Sequence, residues 1–184
     1  MRLGALARRV LGIGLIGFVT VVTGALLTLG STAAHEPVMV RKTSQDIQVY
    51  FSRHPESDDD FTAVFPVARI APDAGVARAA LNALVAGPTP TEVAEGYFSE
   101  LGQMLVGPSN CGGSDFTIRI QAGLATVQFC RTVSSAGIGQ DARVGSAMQA
   151  TLLQFSTIQR VRLLTPEGDC LFDMSGENRC LTTP

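Results

Sequence analysis

The sequence is poor in the residue types that most catalytic sites require. Only two of its 184 residues are histidines, His35 and His54. It contains no Gly-x-Ser-x-Gly pattern, the turn that presents a serine nucleophile in many hydrolases. Nucleophilic catalysis by serine or cysteine needs a base within hydrogen-bonding reach, and both histidines stand in segments typical of solvated loops. The sequence therefore predicts no catalytic residue.

Signatures of metal and cofactor sites are also missing. The four cysteines are 19, 40 and 10 residues apart, whereas structural zinc sites use ligand pairs about two to four residues apart. The acidic segments 58–60 and 169–177 lack the alternating spacing of a calcium loop. Segment 137–142 fits a loose dinucleotide fingerprint, but no acidic residue follows where the ribose would need one. We therefore predict no metal and no cofactor, and interpret 137–142 as a loop ending in a helix cap at Asp141.

The one long apolar run lies at the N-terminus. Three arginines precede residues 10–29, and four small residues follow them. This order predicts an export signal over residues 1–34, cleaved after Ala33 or Ala34, and then a linker over 35–45. Because about 20 apolar residues can span a bilayer, an uncleaved membrane anchor is the alternative.

The exported part is acidic. Without the leader, 11 basic residues face 16 acidic ones, which gives a net charge near −5. No cluster of arginine or lysine provides the basic face that nucleic acid would need, so we predict no nucleic-acid partner. Residues 46–184 are enough for one domain with a single core.

An even number of cysteines in an exported chain predicts two disulfides. Four cysteines allow three pairings. The sequence favours Cys170 with Cys180, which closes a short polar loop within the C-terminal segment 166–184. The second pair would then be Cys111 with Cys130, which ties the approach to a hairpin to its second strand.

Periodicity of apolar residues predicts an α+β fold. Alternation predicts strands, while Asp73 as a cap and Gly87-Pro88 as a stop define a first helix. We expect two helices packed on one face of a mainly antiparallel sheet. The predicted series is strand 46–52, strand 62–70, helix 73–86, strands 116–120 and 124–130 joined around Gly123, helix 141–155 and strand 160–163.

Several of these stretches together resemble a known family. They are Pro66-Val67-Ala68-Arg69, the helix end Leu84-Val85-Ala86-Gly87-Pro88, then Glu92 and Gly96, the hairpin stretch GLATVQF, and VGSAMQATLLQFSTIQRVRLL. This order resembles the GerMN domain of sporulation and spore-germination proteins, over roughly residues 47–165. The resemblance implies an exported bacterial module with no established catalytic activity and a fold similar to ring-building domains of secretion and sporulation channels. The chain departs from it in having four cysteines and one domain instead of a tandem pair.

The segment 96–101 is the predicted contact surface. Tyr97 and Phe98 are adjacent, so in an extended segment one anchors while the other is presented. We predict Tyr97, Phe98 and Leu101 as interface residues; the alternative is that the whole loop is anchored in the core.

Two glutamates precede this surface. Glu92 and Glu95 are predicted to be first-turn acids of a short helix. They are not predicted to be a catalytic pair, because nothing nearby in the sequence would separate their pKa values.

The functional hypothesis is a non-catalytic binding or assembly module in the periplasm or at the cell surface. Its partner would be an envelope protein or a second copy of the chain, with membrane contact only through an uncleaved N-terminal segment. The alternatives are a binder of cell-wall glycan or of another small ligand, and an envelope hydrolase that uses an unpaired cysteine or a serine.

Overall fold

The computed structural model describes residues 44–72 and 74–182. The predicted leader, most of the predicted linker, His35 and the predicted cap Asp73 lie outside these residues. Within them, no helix is both long and apolar enough to cross a bilayer. The elements are β1 (Ser44–Arg53), α1 (Glu56–Asp59), β2 (Phe65–Pro72), α2 (Val76–Ala86), α3 (Pro90–Ala94), β3 (Tyr97–Phe98), α4 (Leu101–Met104), β4 (Leu105–Val106), β5 (Phe116–Gln121), β6 (Leu124–Phe129), β7 (Thr132–Val133), α5 (Ile138–Leu153), β8 (Arg160–Leu164) and α6 (Arg179–Thr182).

Strand β1 is the middle strand of the first sheet. Its alternate residues Ile47, Val49 and Phe51 are buried, as period-two alternation predicts. Strand β2 pairs with it antiparallel as far as Pro72, and β3 pairs with its C-terminal end. The predicted first strand, 46–52, is thus confirmed, with two more residues at its start and one more at its end.

Strands β5, β6 and β8 form the second sheet. The predicted hairpin is confirmed: β5 and β6 are antiparallel and join through Ala122 and Gly123, whose φ values are 47° and 77°. Two consecutive positive φ values match the twist of a two-residue hairpin. Strand β8 returns parallel to β6, and β4 pairs with β7 in a separate short ladder.

Helix α5 explains why the strands form separate sheets. Gln48 and Tyr50 of β1 donate their backbone N–H groups to Gln154 Oε1 at 2.7 Å and Thr151 Oγ1 at 3.0 Å. Gln154 Nε2 donates back to the Gln48 carbonyl at 2.6 Å. Helix side chains therefore occupy the place where a further strand would pair with β1. The α+β class is confirmed, and the mainly antiparallel pairing is divided among three sheets in the described part of the chain.

Both long helices begin at other residues than predicted. Helix α2 begins at Val76, three residues after the predicted start, because the ladder with β1 holds the chain extended to Pro72. Helix α5 begins at Ile138, so Asp141 lies inside the first turn and is not the N-cap. Its start is fixed by the Gln140 side chain, which accepts a 2.7 Å hydrogen bond from the Ala136 N–H.

The core is built from the predicted helix faces and the inner faces of the strands. Helices α2 and α5 contact β1 and each other, so each helix buries one apolar stripe, as period 3.6 requires. The largest fully buried side chains of the core are Phe51, Phe129, Leu81, Leu84, Leu101, Met104, Met148 and Leu152.

Both predicted disulfides are present: Cys111 pairs with Cys130, and Cys170 pairs with Cys180. Disulfides are characteristic of proteins that fold in oxidising compartments. The second bridge fixes a loop that the Asn178 side chain also stabilises, because its Oδ1 accepts a hydrogen bond from the Cys170 N–H at 2.6 Å.

Candidate functional site

A surface groove of about 550 Å³ lies beside strand β3. We call it the β3 groove and define it by the residues that line it. The volume lies in the range typical of ligand sites. Val93 contributes an apolar side chain that is 56% exposed. The lining residues are Val85, Ala86, Gly87, Pro88, Val93, Tyr97, Phe98, Ser99, Gly102 and Gln103.

The end of α2 forms one side of the groove. Helix α2 stops at Gly87, as predicted, where a φ of 80° lets its N–H reach the carbonyls of Ala83 and Leu84 at 3.1 and 3.2 Å. Helix α4 then crosses very close to this end. A β-carbon on Gly102 would lie 2.5 Å from the Val85 carbonyl oxygen, so only glycine allows this approach.

Helix α3 is fixed by a capping box. The Thr89 hydroxyl accepts a hydrogen bond from the Glu92 N–H at 3.4 Å, and the Glu92 carboxylate accepts one from the Thr89 N–H at 2.8 Å. Pro90 occupies the first helical position, where its missing N–H costs nothing. Glu92 is thus a first-turn acid, as predicted, whereas the same prediction is wrong for Glu95, which is the C-cap at the other end of this short helix.

An ion pair joins α3 to strand β2. Both Arg69 amino groups donate to the two Glu92 carboxylate oxygens at 2.7 Å, and such two-point contacts are the strongest form of this pair. The Arg69 hydrogen bonds, with support from the Thr89 N–H, lower the pKa of Glu92 to about 2. The sequence analysis found nothing nearby in the chain that would shift the pKa of this acid, and the group that does so, Arg69, lies on a strand 23 residues away in sequence.

Strand β3 is held to β1 next to a glycine. The His54 N–H donates to the Gly96 carbonyl at 3.0 Å, and Gly96 has a φ of 92°. The His54 ring stacks on Phe98 with a centroid separation of 4.4 Å. On its other side, His54 Nδ1 lies 2.7 Å from Asp58 Oδ1.

Two arginines complete the support of the aromatic residues. The Arg53 guanidinium lies 4.2 Å from the ring centroid of Phe65 and 5.7 Å from that of Tyr97. The Arg143 guanidinium lies 5.8 Å from the ring centroid of Phe98. Such cation–π contacts fix an aromatic side chain without covering its remaining surface.

Glu100 holds Arg143 in this position. Arg143 Nε donates to Glu100 Oε2 at 2.7 Å, and this bond raises the pKa of Arg143. The Arg143 guanidinium also lies 4.9 Å from the ring centroid of Phe61. A salt bridge therefore positions the cation that supports Phe98.

The structure places two of the three predicted interface residues in the groove. Tyr97 and Phe98 line it, and both are partly exposed. Tyr97 also packs against the core. The prediction of Leu101 as an interface residue is wrong. Its side chain is 1% exposed and belongs to the core, because the first turn of α4 directs it inward.

Sequence reasoning missed the residues that shape the groove. Gly102 showed no distinguishing pattern, since its role depends on contact with Val85. Val93 lies between Glu92 and Glu95, and only these two glutamates suggested a role for this stretch. The Thr-Pro-Thr-Glu spelling at 89–92 was a signal for the capping box, because Thr and Glu three residues apart are its signature.

The described residues offer few side chains that could act as nucleophiles or metal ligands. All four cysteines are in disulfides, so no thiol is available as a nucleophile. Between residues 44 and 182, Asp73 aside, no three His, Cys, Asp or Glu side chains cluster as metal ligands would. The β3 groove instead presents partly exposed aromatic and aliphatic side chains.

These features define an α+β domain with a supported aromatic groove. The family model described as Germane, sporulation and spore germination, matches residues 48–168. The chain belongs to this family, which confirms the GerMN resemblance.

Solved structures and curated proteins were compared as well. The tandem GerMN domains of the sporulation protein GerM from Bacillus subtilis are 18% identical with a TM-score of 0.45; the match covers 78% of this chain and 48% of that one. The first GerMN domain of the same protein is 19% identical with a TM-score of 0.46, over 71% and 89% of the two chains. This chain thus spans about half of the tandem structure. Among curated proteins, none matches the sequence.

Proposed function

We propose that this protein is a non-catalytic binding or assembly module of the bacterial cell envelope. Its β3 groove would contact another envelope protein or a second copy of the chain. The export signal predicted over residues 1–34 would deliver it to the extracytoplasmic side, where its two disulfides can form.

The observation that carries this proposal is the way Tyr97 and Phe98 are held. A side chain that only fills the core needs no outer support. Here Phe98 has the His54 ring and the Arg143 guanidinium beside it, yet it remains partly exposed at a groove. Aromatic groups that are pre-ordered in this way lose little entropy on binding and are common at the energetic centre of interfaces.

Val93 provides the sharpest test because it is exposed and lies on a capped helix. We expect Val93→Asp to fold normally and to lose binding, since it places a charge on the apolar margin of the groove. Ile70→Asp is the matched control: Ile70 is 76% exposed on β2 and does not line the groove. The readouts are self-association of the full chain by light scattering and capture of envelope proteins by the immobilised full chain.

A complex that Val93→Asp weakens at least about fivefold, and Ile70→Asp leaves intact, supports the proposal. Tyr97→Ala and Phe98→Ala should weaken the same complex. A complex insensitive to all three groove variants would contradict it, and so would global unfolding of both aromatic variants, because they would then be core residues. Binding of cell-wall fragments in a thermal-shift assay, lost in the same variants, would instead favour the glycan alternative.

A further inference from the structure

The second sheet has one face in the core and an opposite face that carries arginines. On β6, Ala125, Val127 and Phe129 are buried in the core, so the residues between them point to the opposite face. The strand registers place residues of β5 and β8 in line with these. We call two of the resulting rows the arginine face: Gln121, Leu124 and Arg160 form one row, and Arg119, Thr126 and Arg162 form the other. The six residues include three arginines and no acid.

Two of these arginines are available to a ligand. Arg119 and Arg160 are exposed, and neither has a side-chain hydrogen-bond or ion-pair partner within residues 44–72 and 74–182. Arg162 differs, because it already has an interaction partner in the chain. Most other arginines of the described residues lie on a carboxylate: Arg53, Arg69, Arg131, Arg143 and Arg179. The arginine face therefore keeps exposed positive charge on a chain whose residues 35–184 are acidic overall.

Arg160 also borders a recess of about 360 Å³ between β8 and α5. Gln149 and Gln159 line this recess and are exposed, and each amide can both donate and accept hydrogen bonds. Leu124 and Leu153 add apolar surface. Among the residues that the structure describes, no acid lines the recess. Guanidinium, amide and aliphatic groups together suit a sugar ring that carries an anionic group, because such a ring has hydroxyls at its edge and C–H groups on its faces.

A larger cavity beside α5 differs in charge. It has a volume of about 480 Å³ and lies between α5, β8 and the C-terminal disulfide loop. Asp141 lines it together with Arg162, so its wall carries both signs of charge. The recess at Arg160 is therefore the one of the two that favours an anion.

The distance between the two available arginines favours an extended ligand. Adjacent strands are about 4.8 Å apart, and residues two positions apart on a strand are about 6.7 Å apart. Arg119 and Arg160 are separated by two strand spacings and by one row, so their backbones are roughly 12 Å apart. A chain that carries anionic groups at intervals can contact both arginines. Each guanidinium can form a two-point hydrogen bond with a carboxylate.

The uncharged residues of the arginine face favour a carbohydrate chain over a peptide. Peptide interfaces depend on apolar anchor residues, and Leu124 is the one apolar residue in the two rows. Thr126 lies between Arg119 and Arg162, and Gln121 lies in the same row as Arg160. Their hydroxyl and amide groups can bond sugar hydroxyls along the path between the arginines. A nucleic acid would need a larger cluster of cations.

We propose that the arginine face and the adjoining recess bind an acidic glycan, with one anionic group on Arg160 at the recess and another on Arg119. The glycan would hold the domain at a carbohydrate layer of the envelope while the β3 groove contacts a protein. The two sites share no residue, and neither proposal depends on the other.

The test compares three oligomers of equal length against the full chain by isothermal titration calorimetry at low salt. Oligogalacturonate is the acidic glycan, a maltooligosaccharide is the neutral glycan, and oligoglutamate is the acidic peptide. We expect oligogalacturonate to bind most tightly and to weaken as salt is added, because salt screens exposed charges. If the maltooligosaccharide or oligoglutamate binds as tightly as oligogalacturonate, or if oligogalacturonate gives no saturable heat, the proposal is wrong.

Arg119→Gln and Arg160→Gln should each weaken oligogalacturonate at least about fivefold, because each removes one charge-assisted contact. Thr126→Glu should abolish binding while both arginines remain, since it places an acid in the row of Arg119. Arg78→Gln is the matched control: it removes one exposed cation from α2, outside the arginine face and the recess. Weakening by Arg78→Gln equal to that of the other two arginine variants would show that only net charge matters and would overturn the proposal.

Discussion

Two irregular stretches of this domain are fixed by different means. The stretch 87–104, which forms the β3 groove, is fixed by noncovalent local features: a capping box, the Arg69–Glu92 ion pair and the close approach at Gly102. The C-terminal stretch 165–182 is fixed by the Cys170–Cys180 bridge and by side chains that accept backbone hydrogen bonds. The stability of the first stretch should depend on pH and on the size of the side chain at position 102. The stability of the second stretch should fall when its disulfide is reduced.

The difference also distinguishes the β3 groove from the cavity beside α5. The groove depends on contacts that form only when α2, α4 and β2 are in place, so it should be lost only with the fold. The cavity beside α5 is lined on one side by the loop that the Cys170–Cys180 bridge closes.

The largest expected effect is on the groove stretch, from Gly102→Val. The added side chain cannot fit 2.5 Å from the Val85 carbonyl, and the backbone must move. We expect a loss of about 3 kcal/mol in the free energy of unfolding, measured in urea. Gly145→Ala is the matched control, because its β-carbon meets only ordinary contact at 4.0 Å; equal losses in both variants would refute the close-approach argument.

The second-largest loss in the free energy of unfolding should follow removal of the Cys170–Cys180 disulfide. Cys170→Ser with Cys180→Ser removes a closure of 10 residues, which is worth about 2–3 kcal/mol in the chain-entropy account. Hydrogen exchange should speed up at the Cys170 and Leu171 amides and stay slow at Gly87. Faster exchange at Gly87 would show that the two stretches are coupled.

The smallest effect should be the pH dependence of the ion pair. The pKa of Glu92 is about 2 in the folded state against an ordinary value of 4.5. Because the folded pKa is the lower one, the stabilisation is complete above pH 4.5 and is lost as the pH falls towards 2. Glu92→Gln should therefore cost about 1–2 kcal/mol at neutral pH, less than full linkage because the pair is partly exposed.

Urea unfolding at several pH values tests the predicted pH dependence of the Arg69–Glu92 ion pair. The difference between Glu92→Gln and the unsubstituted chain should narrow below pH 4.5. Glu95→Gln should show no such difference, since Glu95 follows α3 outside the ion pair. A constant difference across the pH range would assign the effect of the Glu92→Gln substitution to helix capping alone.

Local patterns predicted the elements well where one residue type has one conformational role. Gly87-Pro88 predicted the end of α2, Gly123 predicted the hairpin, and the apolar stripe of α5 predicted its buried face. The predicted starts of α2 and α5 were wrong for different reasons. The start of α2 depends on the register of β2 with β1, which no local window shows, whereas the start of α5 depends on a local bond from the Ala136 N–H to the Gln140 side chain that the sequence analysis did not consider.

The sequence by itself determined the α+β class and the order of the long elements, and it favoured the disulfide pairing that the structure has, because periodicity, turn residues and loop length act within a few residues along the chain. Only the tertiary structure decided that Leu101 is core, that Arg69 lowers the pKa of Glu92, and that Gly102 must be glycine. It also decided that Asp141 lies in the wall of a cavity with residues of β8 and the C-terminal loop. Each of these facts depends on contact between residues distant in sequence, and such contacts exist only after the elements have packed together.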